Sequence, residues 1–368
     1  MNKGNLIYIN DSRFSKSSGE LSHTVGLLNA LSKKSSILYP THSQNKSLLK
    51  ERGIDEKSIN IRYFQTGPVK YLYKFLFYVL LSPLLLSNKK AVLYIRQSTF
   101  GLLLIPLLHI CQFSKILVEI NGISELEAKT ELKRRLLTYI RKIYYALFKK
   151  KSTFICVSAG IQQYLTDKYA IHDSYVIENA TDLSPRNQLE EGNEQIKNVN
   201  YLVFVGNISQ WQDIDALIET VLHNLNYFID HKLIINIYGD GYNKQRLIGF
   251  IDQHNVHGII NYHGTLSTKE LCEVYPKAKA GLLMDTRIYK GLCLFSPLKY
   301  YEYSSFRLPT IYLVKKGTKI ALENGIIIAN PLNFVEKYEE AMKNRFSLPY
   351  IVRSWSSVVD EMTQFFIR

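Results

Sequence analysis

The segment FSPLKYYEY carries the strongest chemical signal in the chain. Ser296 is a good N-cap and Pro297 suits the first helical position, so a helix is predicted to begin here. Free backbone amides at that end, with Lys299 in the first turn, would attract an anion. Glu302 lies one turn further on the same face, within reach of the hydroxyls of a ribose. An ordinary capped helix with an ion pair between Lys299 and Glu302 fits the same residues.

Three further candidate sites are glycine turns that follow predicted strands. Gly206 comes directly after the buried run LVFV and would let a phosphate approach the backbone closely. Gly239 and Asp240 follow the next strand, and Gly264 ends the one after it. The Gly239 turn lacks the third glycine of a dinucleotide fingerprint. Strand–glycine–helix junctions are also common where nothing binds.

The first half of the chain contributes two candidate positions. Gly19 lies in the loop SSGELSH between the first predicted strand and helix, where a doubly wound sheet binds ligands. Asn121 closes another strand at the same sheet edge. His23 is more typical of a packed or surface helix position than of a catalytic one. Asn121 followed by Gly122 is likewise more typical of a plain turn than of a binding site.

Short apolar runs alternate with amphipathic helical patterns along the whole chain, which indicates βαβ units and parallel sheets. Several runs are apolar without alternation, as expected for strands covered on both faces. Strands are predicted over residues 6–9, 36–39, 91–95, 116–120, 154–157, 201–205, 233–238, 259–262, 281–284, 310–313 and 326–328; the clearest helices over 20–31, 126–148, 213–225 and 334–342.

A polar segment with proline and glycine, residues 182–200, interrupts this pattern and is followed at once by a new strand. We therefore expect two α/β domains, residues 1–183 and 184–350, each doubly wound and facing a common cleft. A final helix within 351–368 is expected to return to the first domain. Such a pair of domains binds its ligand between the carboxyl ends of the strands.

The net charge of +14 is distributed unevenly. Residues 1–185 hold 26 Lys and Arg against 13 Asp and Glu, whereas residues 186–368 hold 20 against 19. A basic first half implies an acidic partner such as nucleic acid, anionic lipid or a phosphorylated substrate. The segments that begin at Lys70 and Glu131 mix cations with aromatic residues, which favours docking on an anionic membrane surface as much as a solvated helix face.

The cysteines and the length of the apolar stretches argue against several classes of protein. The four cysteines lie far apart without a CxxC pair, which argues against a zinc site or a disulfide scaffold. No stretch reaches the roughly 18–20 apolar residues that span a bilayer. The N-terminus reads as a strand, not as a signal peptide. We expect a cytoplasmic protein, or one that is peripheral on a membrane at its cytoplasmic side.

In this order, the motifs resemble the retaining glycosyltransferases of the GT-B fold, specifically glycosyltransferase family 4. IENATD at residues 177–182 is similar to the family's IPNGVD, and YGDG at residues 238–241 to its Gly-Asp-Gly strand end. Gly19 falls at its first glycine loop, and Trp355 in its returning helix. The family's phosphate turn and donor helix correspond to Gly206 with Asn207, and to Ser296, Pro297, Leu298, Lys299 and Glu302.

Four positions depart from the family pattern. The first of two glutamates on the donor loop would fall at Leu294, and the arginine and lysine that hold the diphosphate at Asn207 and Gln212. A histidine of the first domain is replaced by Asn121. These substitutions imply an altered donor site, a slow enzyme or a degenerate one.

The resemblance implies transfer of a sugar from a nucleotide-sugar to a hydroxyl, with retention and without a metal or cofactor. A UDP-sugar donor and a lipid-linked oligosaccharide acceptor are expected, in bacterial capsule, O-antigen or exopolysaccharide synthesis. The roles that follow are catalytic for Asn121, Arg287 and Lys299, and donor-binding for Gly19, Gly206, Asn207, Ser209, Gly239, Asp240, Gly264, Ser296, Pro297, Leu298 and Glu302.

Two other functions fit parts of the sequence. A sugar-nucleotide 2-epimerase shares the fold, but the carboxylates and histidine expected of its acid–base set are not evident from the sequence. A non-catalytic binding protein for nucleotides or nucleic acid fits the charge, yet no RNP1-type motif is present, so no nucleic-acid partner is expected.

Overall fold

The structure is a computed structural model, and it describes residues 5–15, 19–67, 69, 72–128, 130–185, 200–320 and 325–367. Ser17 and Ser18 of the first predicted loop, Lys70 at the start of the basic segment and most of the predicted linker therefore lie outside the described residues.

Seven parallel strands form the first sheet, in the order β3-β2-β1-β4-β5-β6-β7. The chain reverses its winding direction between β1 and β4, which is the topological switch point where such sheets bind ligands. The strands are β1 (Asn5–Ile9), β2 (Ser36–His42), β3 (Ile59–Phe64), β4 (Val92–Arg96), β5 (Lys115–Ile120), β6 (Thr153–Cys156) and β7 (Ser174–Val176).

Helices cover both faces of this sheet, since separate apolar clusters form on its two sides. They are α1 (Gly19–Ser32), α2 (Lys46–Glu51), α3 (Leu72–Ser87), α4 (Ile105–Ile110), α5 (Glu131–Phe148) and α6 (Ala159–Tyr169). A 3-10 turn (Thr99–Leu104) precedes α4.

Six parallel strands form the second sheet with the same winding, in the order β10-β9-β8-β11-β14-β15. Its switch point lies between β8 and β11. The strands are β8 (Tyr201–Val205), β9 (Ile234–Tyr238), β10 (Ile260–Gly264), β11 (Ala280–Leu283), β14 (Thr310–Leu313) and β15 (Ile326–Ala329).

The second sheet is also covered on both faces. Its helices are α7 (Ile214–His223), α8 (Leu225–Asp230), α9 (Lys244–His254), α10 (Thr268–Val274), α11 (Leu298–Ser305) and α12 (Phe334–Lys343). The last helix, α13 (Trp355–Ile367), packs on the first unit instead, where the indole of Trp355 lies so close to Gly26 that a methyl group there would overlap it.

A small antiparallel hairpin, β12 (Ile288–Tyr289) and β13 (Leu292–Cys293), reaches from the second unit to α6 of the first. The hydroxyl of Ser158 donates to the carbonyl of Cys293 over 2.8 Å, and the ring of Tyr289 lies edge-on to Tyr164. A side chain at Gly160 would collide with the same carbonyl, so glycine permits this close contact.

The predicted α/β class and the predicted strands are confirmed, with small shifts at their ends. The sequence analysis missed β3, whose alternating polar residues suit a sheet edge, as well as β7 and the hairpin. The predicted start of α5 at residue 126 was wrong. This helix begins at Glu131 because the side chain of Thr130 accepts a hydrogen bond from the amide of Lys133 and caps it.

Candidate functional site

A cleft of about 2810 Å³ lies between the two sheets and is lined from both units. The start of α1, which follows β1, and the carboxyl end of β4 reach it from the first unit, and the carboxyl ends of β8 and β11 reach it from the second. Both switch points therefore open into the same space. The lining includes the candidates Gly19, Asn121, Gly206, Asn207, Ser209, Gly239, Arg287, Ser296, Pro297, Leu298, Lys299 and Glu302.

Two of the predicted glycine turns form the floor of the cleft on the second unit. The amide of Gly206 donates to Tyr238 O over 2.9 Å, and the amide of Gly239 to Gly264 O over 2.7 Å. Gly239 has φ of +148°, and a Cβ there would overlap the carbonyl oxygen of Gly206. The two turns therefore stack directly on one another, which only glycine allows at this position.

Ser209 contributes an unusual polar group to this floor. Its residue is 5% exposed, and its hydroxyl has no hydrogen-bond partner in the described part of the chain. Asn243 fixes the loop by donating from Nδ2 to Ser209 O over 2.8 Å. A buried hydroxyl without a partner is costly, and one that lines a cleft is ready to donate to a ligand.

The predicted cap of α11 was wrong in detail. Pro297, with ψ of 117°, is the N-cap, and Leu298 is the first helical residue. The hydroxyl of Ser296 is used elsewhere, because it accepts from the amide of Asn179 over 3.0 Å. Asn179 Nδ2 also donates to Ser296 O over 2.7 Å. Ser296 thus ties the start of α11 to the chain that leaves the first unit.

Lys299 and Glu302 form the ion pair that their spacing allowed. Lys299 Nζ lies 3.1 and 3.0 Å from the two carboxylate oxygens of Glu302, and Tyr275 donates its hydroxyl to Glu302 Oε2 over 2.6 Å. Glu302 is only 7% exposed. A carboxylate has about four acceptor positions, so these bonds leave it able to accept from a ligand. Lys299 also lies beside Gly206, 3.9 Å from where a Cβ would stand.

Arg287 is held by two carboxylates, one from each unit. Its guanidinium lies 2.7 Å from Asp285 and 3.2 Å from Glu127, which belongs to the loop before α5. It also packs over the rings of Trp211 and Phe295. Burial raises the pKa of Asp285 and of Glu127, and Arg287 opposes both shifts. The charge of Arg287 is therefore already compensated within the protein.

Two candidates lie away from the cleft. Asp240 and Gly264, predicted to line the nucleotide pocket, are not part of its wall; the neighbouring Thr265 is. The Asp240 side chain is 59% exposed and lies 3.6 Å from Lys244. The backbones of both residues hold the loops that form the floor. Asp240 O accepts a hydrogen bond from the amide of Ile208 over 2.9 Å, and Gly264 O accepts one from the amide of Gly239.

The first unit supplies the opposite wall. A Cβ on Gly19 would stand 3.4 Å from Leu298 Cδ1, so α1 begins directly opposite the start of α11. Asn121 lines the cleft and donates through Nδ2 to Glu119, which leaves its amide oxygen available as an acceptor.

Behind Asn121 lies a buried ionic cluster that the sequence analysis missed. Glu119 contacts His23 Nε2 at 3.3 Å and Arg96 Nη1 at 3.6 Å, and Arg96 Nε lies 3.2 Å from Glu20. Glu20, His23 and Arg96 also line the cleft. The available signal was charge at the ends of apolar strands, since Arg96 ends β4 and Glu119 is the penultimate residue of β5.

Burial sets the protonation of this cluster. Desolvation lowers the pKa of His23 to about 4, against the opposing charge of Glu119. Burial raises the pKa of Glu119, but its partners His23, Arg96, Tyr94 and Asn121 hold it below its usual value. Near neutral pH His23 is therefore a neutral imidazole that lies beside the Arg96 cation and the Glu119 carboxylate.

Neither a metal-binding cluster nor a membrane-spanning helix is found in the described part of the chain.

No protein-family model matches the chain, and no curated protein matches it in sequence. Several solved structures do align with it over nearly its whole length. Sucrose-phosphate synthase from Thermosynechococcus elongatus aligns with a TM-score of 0.69 at 13% identity, covering 99% of this chain and 98% of that one. A glycosyltransferase from Rickettsia africae aligns at 0.65 and 14%, covering 100% and 94%. A TarM mutant from S. aureus in complex with UDP aligns at 0.63 and 12%, covering 99% and 100%.

An enzyme of another class has the same architecture. The UDP-GlcNAc 2-epimerase from Methanocaldococcus jannaschii aligns with a TM-score of 0.57 at 14% identity, covering 98% of this chain and 99% of that one. At these identities the comparisons show the fold: the chain has the GT-B architecture of two Rossmann-like units that face a cleft.

Proposed function

We propose that this chain is a retaining glycosyltransferase of family 4 that transfers a sugar from a nucleotide-sugar to a hydroxyl. UDP is the expected nucleotide, because structures of the same fold include one in complex with UDP. The sequence motifs resemble this family, the GT-B fold supports a glycosyltransferase, and the proposal includes catalysis without a metal ion or another cofactor.

One juxtaposition carries the proposal. Residues distant in sequence, Gly206, Ser209, Lys299 and Glu302, meet on one wall of the cleft. Gly206, which has no side chain, would let the diphosphate approach closely, and the Ser209 hydroxyl, which has no described partner, would donate to it, with Lys299 beside them. An ammonium carries three N–H donors, and among the described residues the Glu302 carboxylate receives bonds from this lysine and Tyr275 alone. Glu302 can therefore still accept from ribose hydroxyls.

The proposed reaction breaks the bond between the anomeric carbon and the diphosphate, and forms the bond to the acceptor oxygen on the same face. By the scheme that the family resemblance implies, a donor phosphate oxygen takes the acceptor proton. The nucleoside diphosphate leaves as an anion that preorganised donors stabilise. Asn121 would face the sugar from the opposite wall, and its amide oxygen would accept from a sugar hydroxyl.

A lipid-linked oligosaccharide is the proposed acceptor, in bacterial capsule, O-antigen or exopolysaccharide synthesis at the inner face of the cytoplasmic membrane. The excess of cations in residues 1–185 supports this, because an anionic membrane surface attracts such a unit.

Thermal unfolding in the presence of UDP, GDP, ADP, CMP and their sugar conjugates tests the donor site. A ligand at 100 times its dissociation constant adds about 2.7 kcal/mol of stability, a shift of a few degrees. We expect one nucleotide class to stabilise the wild type and Glu302→Gln to lose that shift. Glu336→Gln, at another glutamate in contact with a lysine but on α12, is the matched control. Stabilisation by none of these ligands would overturn the proposal.

The buried cluster favours a second candidate function, a sugar-nucleotide 2-epimerase. His23, Glu20 and Glu119 bring together a histidine and carboxylates of the kind that the sequence did not reveal. Incubation of a nucleotide-sugar without an acceptor separates the two functions. An epimerised nucleotide-sugar would establish the second candidate, whereas release of free nucleotide only when an acceptor is added supports transfer.

A further inference from the structure

Helix α5 is apolar on two opposite faces. Its inner face packs Tyr144, Tyr145 and Phe148 into the core of the first unit. Its outer face exposes five large apolar side chains at helical spacing: Leu132 (81% exposed), Leu136 (56%), Tyr139 (64%), Ile143 (38%) and Leu147 (43%). We call this row the α5 ridge. A surface helix needs only one apolar face, and in the described residues nothing covers the ridge.

The neighbouring elements continue this apolar surface. Gly101, in the turn before α4, lies against the ring of Tyr144 of α5, and the same core cluster includes Phe77 and Leu81 of α3. These elements therefore pack side by side on one face of the first sheet. Their outward side chains include Leu72 (48% exposed), Phe75 (45%), Val79 (48%), Leu103 (40%) and Ile110 (63%). Exposed apolar side chains on neighbouring elements are typical of an interaction site.

A second cavity, of about 520 Å³, opens beside the ridge and separate from the cleft. Tyrosines and cations dominate its wall. Glu125 forms part of the wall, where it accepts hydrogen bonds from the hydroxyls of Tyr164 and Tyr169. The wall also includes Tyr139, Tyr289, Arg134, Arg135, Lys142 and Lys168.

The cations of this cavity are only partly compensated. Arg134 and Arg135 both pair with Glu131. Lys142 and Lys168 form no ion pair with any described residue, and Lys142 lies one helical turn from Tyr139 of the ridge. The cavity thus combines aromatic faces with unpaired ammonium groups, which suits an anion attached to an organic group such as a phosphodiester.

We propose that the α5 ridge and this cavity form one docking site for an anionic phospholipid bilayer, in which the cavity binds a lipid headgroup phosphate. The charge of the first half of the chain complements such a surface, and the ridge enters the apolar boundary below the headgroups. This proposal rests on the proposed function in one respect. The docking site would serve to hold the cleft next to a lipid-linked acceptor.

The loop between β5 and α5 connects this site to the cleft. Asn121 lines the cleft, Glu125 and Leu126 line the cavity, and Glu127 pairs with Arg287 of the second unit. Because the helices follow parallel strands, α5 begins at the carboxyl edge of the sheet, which is also the edge of the cleft. A bilayer on the ridge therefore lies next to the cleft opening.

Binding to vesicles tests the proposal with the full chain and matched variants. Vesicles of phosphatidylcholine with about one third phosphatidylglycerol are titrated at fixed salt. The cavity variant is Lys142→Gln with Lys168→Gln, and its matched control is Lys149→Gln with Lys150→Gln, two exposed lysines that do not line the cavity. The ridge variant is Leu132→Ser with Leu136→Ser, and its control is Ile229→Ser at an exposed position of the second unit (58% exposed).

Non-specific attraction is worth about fivefold in affinity per lysine near the surface, whichever lysine is removed. A headgroup bound in the cavity predicts at least a tenfold larger loss for the cavity variant than for its lysine control. The ridge variant should lose roughly tenfold or more per leucine, and Ile229→Ser should bind as the wild type. Equal losses in the two lysine pairs would remove the headgroup site from the proposal.

Two further results would overturn the docking site as a whole. One is a wild type that does not bind anionic vesicles. The other is a dimer in solution that Leu132→Ser with Leu136→Ser dissociates, which would assign the ridge to a second copy of the chain. Nucleotide-dependent thermal shifts of the same variants should match the wild type. A wild type that binds nucleotide but not anionic vesicles therefore counts against the docking site alone, and absence of nucleotide binding in every chain counts against the proposed function.

Discussion

His23 makes the stability of the first unit depend on pH in a way that a single substitution should remove. In the folded chain, burial lowers the pKa of His23 from 6.5 to about 4. The side chain is packed edge-on against Trp355, with Arg96 3.0 Å from Nδ1. His23→Gln replaces the imidazole by a neutral amide that can still hydrogen-bond to the Arg96 and Glu119 side chains.

The sign and size of the effect follow from proton linkage. Because the unfolded chain binds a proton at His23 below pH 6.5 and the folded chain does so only near pH 4, stability is lost as the pH falls through this window. Between pH 7 and pH 5 the wild type should lose about 2 kcal/mol relative to His23→Gln, at about 1.4 kcal/mol per pH unit below 6.5. Carboxylates elsewhere titrate equally in both chains and cancel in the difference.

Urea unfolding of both chains at pH 7, 6 and 5 measures this difference, and His223→Gln, at an exposed position of α7, controls for the loss of a histidine as such. An imidazole resonance of His23 that does not titrate above pH 5 would give independent support. Parallel pH dependence of the wild type and His23→Gln would refute the reasoning, because it would mean that water reaches His23 and that the cluster is not desolvated.

Four other substitutions test the second unit. Gly239→Ala would overlap the backbone of the adjacent turn and should lower stability by about 3 kcal/mol in chemical denaturation, whereas Gly249→Ala, in an open position of α9, should raise it by up to about 1 kcal/mol. Ser209→Ala removes a hydroxyl that has no described partner, so unfolding without ligand should change little while nucleotide affinity, measured by calorimetry, falls roughly tenfold. Arg287→Met leaves the carboxylates of Asp285 and Glu127 without their shared cation, and should destabilise the chain by about 3 kcal/mol. An unchanged denaturation midpoint would show that these ion pairs are solvated.

Much of the fold could be predicted because it depends on local patterns. Unbroken apolar runs such as residues 201–205 identify strands that are buried on both faces, and the glycines that follow mark their carboxyl ends. The elements that were missed lack this pattern. Strand β3 alternates polar and apolar residues at the sheet edge, and β12 and β13 are only two residues each.

The candidate site was predicted less completely, because partners are distant in sequence. The spacing of Lys299 and Glu302 allowed both an ion pair and an anion site, and only packing of α11 beside Tyr275 and Gly206 shows how the two residues are arranged. The same holds for Asp240, whose backbone contributes to the floor while its exposed side chain lies near Lys244 and is not part of the cleft wall.

The sequence by itself determined the α/β class, the glycine turns, the start of α11 to within one residue and the basic first half, because each depends on residue types at short separations. Only the tertiary structure decided which charged side chains are already paired within the protein and which remain available to a ligand. Arg287 meets carboxylates from both units, and His23 joins Arg96 and Glu119 from two different strands. Burial and the charged partners that the fold brings together set the protonation state of an ionisable group. Neither of them can be read from the spacing of residues along the chain.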